Sequence, residues 1–312
     1  MRYIFTNLKR FDVPPEFGGV NRLVVPEEWA REIITKVCGG LGKYWNSRSM
    51  EPNVSFTFFF PEAHIMQAVA AKGSNPIHIG CQAVHWEDII KGGNFGAFTG
   101  SRPAAAISSL GSTAVIIGHC EERRTLTAVL AEGGLEGSKA ASAVNRILAR
   151  EIAAAKVRKL NILYCIGEKP EEQEQWQNIL SSQIEAGLTA FNVSLEKSNA
   201  LPLAAAESHP EREGSFIIGY EPVWAIGPGK IPPDRGYIEK IACFIKEKTN
   251  KDYGTIPVVY GGGLKTDNAE MLASIPEIDG GLIALTRFTG EIGFYPEEFL
   301  EIVDRYLQCD HA

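Results

Sequence analysis

Eight short apolar segments recur along this chain, and longer segments with helical periodicity lie between most of them. The apolar segments are Arg2–Asn7, Val54–Phe60, Ile77–Gln82, Ala114–Gly118, Asn161–Ile166, Phe216–Tyr220, Pro257–Tyr260 and Gly281–Leu285. The helical segments are Glu27–Val37, Ala63–Ala71, Lys139–Ala155, Gln173–Ala190, Tyr237–Glu247 and Asn268–Ser274. Strands that alternate with helices pair in parallel and belong to the α/β class. Eight such units predict a closed (β/α)8 barrel, and an open doubly wound sheet, which usually has fewer strands, is the alternative.

The length of the chain fits one large domain or two ordinary ones. It has 312 residues, of which 45% are hydrophobic, so it can bury a substantial core. Because the eight units run through the whole chain, we predict a single domain over residues 1–312. Two segments exceed what a barrel needs, Asp12–Pro26 after the first strand and Lys197–Gly214 before the sixth, and we interpret both as surface insertions.

The net charge limits the kinds of partner that the chain is expected to bind, and the cysteine content indicates its cellular compartment. The formal net charge of −7 argues against nucleic acid as the partner, although a local cluster of lysines could still bind a small anion. Six scattered cysteines without a C-x-x-C pair predict reduced thiols in a cytoplasmic protein. We find no secretion signal and no apolar segment long enough to cross a membrane, and no cluster of residues with metal-ligand spacing.

The segment from Gly219 to Lys230 places a carboxylate beside an apolar loop. Glu221 comes directly after the predicted strand Phe216–Tyr220, and Pro222 ends that strand. Aromatic and aliphatic residues follow, and Gly-Pro-Gly at positions 227–229 closes the segment. An apolar loop of this kind is typical of a lid that excludes water from a base. The alternative is an exposed loop whose Trp224 packs on a neighbour.

Polar side chains follow several of the predicted strands. Asn7 and Lys9 end the first strand, His119 and Glu121 follow the fourth, and Glu221 follows the sixth. A histidine alone in such a position is more often a structural cap, and a lysine alone is more often solvated. Because the C-terminal ends of barrel strands meet on one face, however, these groups are expected to converge on a single acid–base site.

The same residues lie in motifs that resemble the triosephosphate isomerase family nearly end to end. The matching segments are Asn7-Leu-Lys9, Gly80-Cys-Gln82, Phe98-Thr-Gly100, Ile117–Arg124, Cys165–Glu168, Tyr220–Gly227, Tyr260-Gly-Gly262 and Ile278-Asp-Gly280. The run Tyr-Glu-Pro-Val-Trp-Ala-Ile-Gly, in order with Gly-His-x-Glu, is the most specific of them. The resemblance implies a TIM barrel and an aldose–ketose isomerase of sugar phosphates that needs no metal or organic cofactor.

The resemblance also implies a role for each residue of the site. Glu221 would be the base that moves a proton between adjacent carbons through an enediolate. A neutral His119 would polarise the carbonyl group, and Lys9 would offset the negative charge of the intermediate. Asn7 would donate a hydrogen bond, and Glu121 would help to order these groups. In the family the substrates are dihydroxyacetone phosphate and glyceraldehyde 3-phosphate.

The chain departs from the family where the phosphate should be bound. The family's eighth strand leads into a Gly-Gly pair, and the side chains of Ala284 and Leu285 should crowd that position here. Arg287 follows, and its guanidinium could bind a phosphate or carboxylate bidentately, or it could be an ordinary surface arginine. The lid carries Pro228 where threonine is usual. The candidate phosphate-binding residues are Gly227, Gly261, Gly262, Gly263 (a serine in the family) and Arg287.

Three functions remain open at this stage. The chain could isomerise triose phosphates, it could act on another small sugar phosphate such as erythrulose phosphate, or, least favoured, it could be a non-catalytic binding protein. The altered eighth loop and the Asp12–Pro26 insertion favour the second. The resemblance further implies a homodimer, in which Arg102 of one subunit could pair with Glu122 of the other, although either charge could simply be solvated.

Overall fold

The computed structural model describes residues 1–45, 54–198, 214–227 and 229–308, with the side chains of residues 193–198 excepted. Within these ranges, eight parallel strands form one closed barrel in which each strand pairs with the next and the eighth pairs with the first. The strands are β1 Arg2–Asn7, β2 Val54–Phe60, β3 Ile77–Cys81, β4 Ala114–Ile117, β5 Asn161–Ile166, β6 Phe216–Tyr220, β7 Val258–Tyr260 and β8 Gly280–Ile283. The predicted (β/α)8 TIM barrel is therefore confirmed.

Helices connect the strands. The α-helices of the described ranges are α1 Pro26–Trp45, α2 Ile65–Lys72, α3 Ala104–Ser109, α4 Cys120–Glu132, α5 Gly137–Val157, α6 Trp176–Ser198, α7 Arg235–Tyr253, α8 Ala269–Ala273 and α9 Pro296–Gln308. Six of them overlap predicted helical segments, and α3, α4 and α9 were not predicted. Among the described helices, none combines the length and the apolar character that crossing a bilayer requires.

The apolar core has two layers. Alternate strand side chains point into the barrel and form a compact inner cluster, which consists of Phe5, Phe59, Ala114, Ile116, Leu163, Cys165, Ile217, Val259 and Leu282. The intervening strand residues pack against the helices in a larger outer cluster. Because the strands are buried on both faces, they read as continuous apolar segments in the sequence. This packing fixes the ends of the strands, where the polar side chains emerge.

The insertion after β1 folds against the barrel rim. It contains a short 3-10 helix, Pro15–Phe17. Asp12 is buried, and its carboxylate accepts hydrogen bonds from Arg10 and lies 3.1 Å from His64 Nε2. The Asp12 carboxylate therefore ties the start of the insertion to the segment that precedes α2. The second predicted insertion, Lys197–Gly214, lies mostly outside the described residues, and the single-domain boundaries stay a prediction.

Candidate active site

The strand ends bring all five predicted catalytic residues into one connected group. Lys9 Nζ lies 2.8 Å from Glu121 Oε1, and the Glu121 N–H donates to His119 Nδ1 over 3.3 Å. His119 Nε2 lies 3.2 Å from Glu221 Oε1. Asn7 Oδ1 accepts a hydrogen bond from the backbone N–H of Lys9 at 3.1 Å. The residues come from three different strand ends, so their proximity is a consequence of barrel closure.

The hydrogen bonds of His119 define its protonation state. The residue is the N-cap of α4, with extended backbone, and its Nδ1 accepts the N–H of Glu121. A ring nitrogen that accepts a backbone N–H carries no proton, so a neutral imidazole has its proton on Nε2. His119 therefore presents an Nε2–H group toward the carboxylate of Glu221.

The carboxylate of Glu221 is buried and only partly satisfied. Its side chain is 2% exposed, and its Oε2 accepts the N–H of Cys120 at 2.8 Å. Its Oε1 lies 3.2 Å from His119 Nε2 but has no aligned hydrogen-bond donor among the residues that the structure describes. A buried carboxylate oxygen without a donor is energetically costly and keeps its affinity for a proton. This atom is therefore suited to act as a base.

Cys120 is not activated as a nucleophile. Its Sγ lies near His119 and Glu221, and one ligand atom from each of these three residues falls within 4.8 Å of the others. Burial, followed by the negative charge of Glu221, raises the pKa of the Cys120 thiol well above its ordinary value. The thiol is therefore protonated, and His119 Nδ1 is already occupied by a backbone donor. A protonated thiol leaves Glu221 as the base of this group.

Lys9 is fixed by contacts on both sides of its backbone. Its φ of +42° is left-handed, which is unusual for a residue with a side chain. Gln82, just beyond β3, donates to the carbonyl oxygen of Lys9 at 2.9 Å and to Asn7 Oδ1 at 3.3 Å. Burial raises the pKa of Glu121, but the hydrogen bond and charge of Lys9 outweigh it and lower the pKa overall. Gln82 was not among the predicted site residues, although its position at a strand end could have identified it.

A cavity of about 420 Å³ opens beside this group. One wall consists of site residues, and the other comes largely from the first loop and its insertion. The lining residues are Asn7, Lys9, Arg10, Phe11, Gly18, Gly19, Val20, Gln82, His119, Glu121 and Glu122. A Cβ atom on Gly19 would lie 2.0 Å from the carbonyl oxygen of Val13, so only glycine permits this fold of the insertion. The insertion is therefore part of the cavity wall.

The predicted lid is anchored at its start by a buried carboxylate. Val223–Ala225 forms a 3-10 helix, and the indole N–H of Trp224 donates to Glu168 Oε1 at 2.7 Å. The same oxygen accepts the hydroxyl groups of Tyr220 at 2.9 Å and Tyr237 at 3.1 Å. Glu168 is fully buried, so these three donors satisfy a carboxyl oxygen that water does not reach.

The far end of the lid and the seventh loop contain the predicted phosphate-binding glycines. Gly227 has a φ of +121°, and the predicted lid residue Pro228 lies outside the described residues. A Cβ atom on Gly261 would lie 2.7 Å from Glu221 Cγ, so the seventh loop packs directly against the base. A Cβ atom on Gly262 would meet the Tyr260 hydroxyl at 2.3 Å, and Gly263 has a φ of +103°. The chain therefore requires glycine at these turns for steric reasons.

The guanidinium of Arg287 is paired with a glutamate of α9 and is not left open for a ligand. The eighth loop forms a small hairpin through the bridge between Arg287 and Gly293. The guanidinium of Arg287 contacts Glu298 Oε1 through Nη2 at 2.6 Å, and its Cζ lies 3.8 Å from the ring centroid of Tyr295. Neither Arg287 nor the four predicted phosphate-binding glycines line the cavity described above. The guanidinium of Arg287 is instead held by α9 and by the end of its own loop.

Glu122 is engaged within its own chain. Its Oε2 accepts the N–H of Gly118 at 2.6 Å, and it faces the buried carboxyl of Glu151 on α5. Burial raises the pKa of both carboxyls, and the charges of Arg102 and Arg123 oppose this rise. The alternative of a solvated Glu122 is therefore wrong, and an ion pair with Arg102 of a second subunit stays a prediction.

Comparison with known proteins identifies relatives of one kind. The family model described as Triosephosphate isomerase matches residues 43–305. The chain is 32% identical over 243 residues to the triosephosphate isomerase of Chlamydia trachomatis serovar D, covering 75% of this chain and 71% of the relative. It is 30% identical over 259 residues to that of Nitrosomonas europaea, covering 81% and 84%. The crystal structure of triosephosphate isomerase from Bartonella henselae superposes with a TM-score of 0.64 at 24% identity over 98% of each chain.

Proposed function

Because the chain belongs to the triosephosphate isomerase family and is an isomerase of the intramolecular oxidoreductase class, we propose that it interconverts dihydroxyacetone phosphate and glyceraldehyde 3-phosphate. The observation that carries this proposal is the pairing of Glu221 and His119. A buried carboxylate oxygen without an aligned donor lies 3.2 Å from the nitrogen of a neutral imidazole that bears the proton. At that separation, the base can reach a C–H group while the proton donor reaches the oxygen of the neighbouring carbonyl group.

The proton transfer follows from these two groups. Glu221 takes a proton from the carbon beside the carbonyl group, and the electron pair of that C–H bond forms the double bond of an enediolate. The Nε2–H of His119 protonates the carbonyl oxygen as it becomes negative, and Nε2 then takes the proton of the neighbouring hydroxyl group, so that the imidazole is neutral again. Glu221 returns its proton to the former carbonyl carbon, and the electrons of the oxyanion left on the other carbon form the new carbonyl group, which converts the ketose into the aldose. The reaction consumes nothing and runs in both directions, so the residues need no cofactor.

The remaining polar groups stabilise the charge that develops. The ammonium group of Lys9 lies beside the cavity, and Asn7 is held at the same wall by Gln82. Lys9 and Glu121 are partly exposed, with 25% and 45% of their side-chain surface accessible, so the pair can rearrange when substrate enters. The lid excludes water and strengthens these interactions. The roles of Gly227, Gly261, Gly262 and Gly263 are to approach the phosphate with backbone N–H groups.

A second substrate class is a longer sugar phosphate such as erythrulose phosphate. The observation that favours it is the cavity of about 420 Å³, whose outer wall is the first-loop insertion around Gly18, Gly19 and Val20. In addition, Ala284 and Leu285 stand in the eighth loop where the family has glycines. For either substrate we propose a cytoplasmic homodimer that does not bind nucleic acid, which the net charge of −7 supports.

Proton exchange in D₂O tests the reaction and the substrate together. Purified protein is given dihydroxyacetone phosphate and erythrulose phosphates in parallel, with Glu221→Gln as the inactive variant and the exposed Glu174→Gln as its matched control. We expect the wild type to exchange protons. The exchange rate should be at least about 100-fold lower in Glu221→Gln and unchanged in Glu174→Gln. Exchange on the four-carbon substrates alone favours the second class. An unchanged rate in Glu221→Gln would refute the assigned base.

A further inference from the structure

The cations at the rim of the barrel differ in whether a carboxylate already neutralises them. Each of four rim cations lies within ion-pair distance of an acidic side chain; these pairs are Lys9–Glu121 at 2.8 Å, Arg10–Asp12 at 2.7 Å, Lys169–Glu172 at 3.7 Å and Arg287–Glu298 at 2.6 Å. The guanidinium of Arg123 is engaged in a different way, because it donates hydrogen bonds to backbone carbonyl groups, a side-chain amide and a hydroxyl group. A dianionic substrate group gains most from a cation that has no such partner.

Lys265, in the loop after β7, is such a cation. Its Nζ lies 4.2 Å from the centroid of the Phe288 ring in the eighth loop, and it has no ion pair with any residue that the structure describes. The aromatic face positions the ammonium group without neutralising its charge. Phe288 is 47% exposed, so the other side of the contact is open to a ligand. Lys265 is thus an ordered and available cation.

The position of Lys265 connects it to the proposed base. Its Cε lies 3.6 Å from the place that a Cβ atom on Gly263 would occupy, so the side chain folds back over the seventh loop. The same loop packs against Glu221 through Gly261. The N–H of Leu264 donates to a carbonyl oxygen of β8 at 2.9 Å, which holds the loop over the junction of β7 and β8. The ammonium group therefore lies between the seventh and eighth loops, and the seventh loop is the one that contacts Glu221.

We infer that Lys265 is the side chain that recognises the phosphate group of the substrate. The inference rests on the proposed function, because it assumes a phosphorylated substrate whose reacting carbons lie at Glu221. Ala284 and Leu285 stand in the eighth loop where the family has a Gly-Gly pair, so fewer glycine N–H groups can approach a phosphate closely here. A cation on the seventh loop supplies the charge at that edge instead. Lys265 thereby determines specificity for phosphorylated over neutral sugars and takes no part in proton transfer.

Binding of a probe that cannot react tests this assignment independently of catalysis. Inorganic phosphate and glycerol 3-phosphate, which lacks a carbonyl group, are titrated calorimetrically into the wild type and into Lys265→Gln and Lys265→Arg. We expect the dissociation constant to rise about 10- to 100-fold in Lys265→Gln, since one charge-assisted hydrogen bond is lost, and to stay within about threefold in Lys265→Arg. In kinetics the KM of Lys265→Gln should rise while its kcat stays near the wild-type value.

Two further lysines make the test specific. Lys240 also lies over an aromatic ring, 5.2 Å from the centroid of Trp176, but on the outer helices, so Lys240→Gln should bind phosphate as the wild type does. Lys230 is exposed at the end of the lid. The inference is overturned if the wild type does not bind either probe, if Lys265→Gln binds as tightly as the wild type, or if Lys230→Gln alone weakens binding. Phosphate binding that depends on Lys265, without any proton exchange, would instead refute the proposed isomerase reaction and leave Lys265 as an anion site.

Discussion

Glu121 orders the site through two contacts, one from its backbone and one from its side chain. Its backbone N–H fixes the neutral form of His119, while its side chain holds the ammonium of Lys9 at 2.8 Å. One residue therefore places both the proton donor and the cation of the proposed mechanism. Because its side chain is 45% exposed, the ion pair is screened by solvent and contributes little to folding stability.

The pH dependence of this contribution has a defined sign. Burial raises the pKa of Glu121, but Lys9 lowers it by more, so the pKa is lowered overall. The stabilisation is therefore present above the ordinary carboxyl pKa and is lost as the pH falls through the lowered value. We expect Glu121→Gln to lower the free energy of unfolding by less than about 1 kcal/mol near pH 7. The deficit should shrink as the pH falls below the ordinary carboxyl pKa, as measured by urea unfolding. A deficit that is equally large in acid would show that the charge of Glu121 is not responsible.

Residue positions at strand ends were predictable from the sequence, whereas side-chain partners were not. Asn7, Lys9, His119, Glu121 and Glu221 each follow a recognisable apolar strand, and barrel closure alone brings them together. Partners depend on other elements. The arginine of the eighth loop was predicted to be available for phosphate, but a glutamate on the unpredicted helix α9 binds its guanidinium.

The first turn of α7 couples a helix cap to the lid. Asp234 is the N-cap and accepts the N–H of Tyr237 at 2.8 Å, and the hydroxyl of Tyr237 donates to Glu168, which also binds Trp224. We expect Asp234→Ala to cost about 1 kcal/mol of stability, since the cap is lost, and Asp234→Asn to cost much less. Chemical denaturation measures the cost, and Trp224 fluorescence reports the lid anchor. Equal stability of both variants would contradict the capping role.

The contact between α4 and α5 predicts a destabilisation in alkali. Burial raises the pKa of Glu122 and Glu151, so the folded chain binds more protons than the unfolded chain above the ordinary carboxyl pKa. Stability should therefore fall as the pH rises through the range between the unfolded and the folded pKa values. Glu151→Gln removes this titration, and near pH 9 we expect it to be more stable than the wild type by about 1–3 kcal/mol.

The control for this prediction is the same pair of proteins in mild acid. Near pH 5 the wild-type carboxyls are largely protonated when folded, so the advantage of Glu151→Gln should shrink. The measurement is urea unfolding at both pH values. An advantage that does not grow with pH would mean that the facing charges of Arg102 and Arg123 keep the two carboxyls ionised.

Three helices, α3, α4 and α9, were not predicted. In the first two the apolar period is weak, whereas in α9 it is clear but was overlooked. Helix α4 has no fully buried residue, and its Leu126 and Leu130 pack only partly against the core, so its apolar period is weak; α3 has only six residues. Neither element could be recognised from periodicity. Helix α9 differs, because Phe299, Ile302, Val303 and Tyr306 are buried at helical spacing and give a clear pattern. The prediction omitted it, and with it the partner of the eighth-loop arginine.

The closed barrel depends on the contact between its first and last strands. β8 pairs with β1 over four residue pairs, which include Tyr3 opposite Gly280. The helix layer closes at the same place, because a Cβ atom on Gly40 of α1 would lie 2.2 Å from Leu300 of α9. Elements from both ends of the chain therefore meet along one seam, and the active site requires that seam because Asn7 and Lys9 follow β1.

A pair of glycine variants tests whether closure at this seam determines the stability of the whole molecule. A Cβ atom on Gly280 would lie 1.8 Å from the carbonyl oxygen of Tyr3, so the two strands have to separate in Gly280→Ala. We expect a loss of at least about 3 kcal/mol, since backbone cannot yield as a side chain can. Gly39→Ala is the matched control: it lies in α1 with open space around it and should gain about 0.5–1 kcal/mol. Urea unfolding of both variants measures the difference. A Gly280→Ala protein as stable as the wild type would mean that β1 and β8 do not approach as closely as the closed barrel requires.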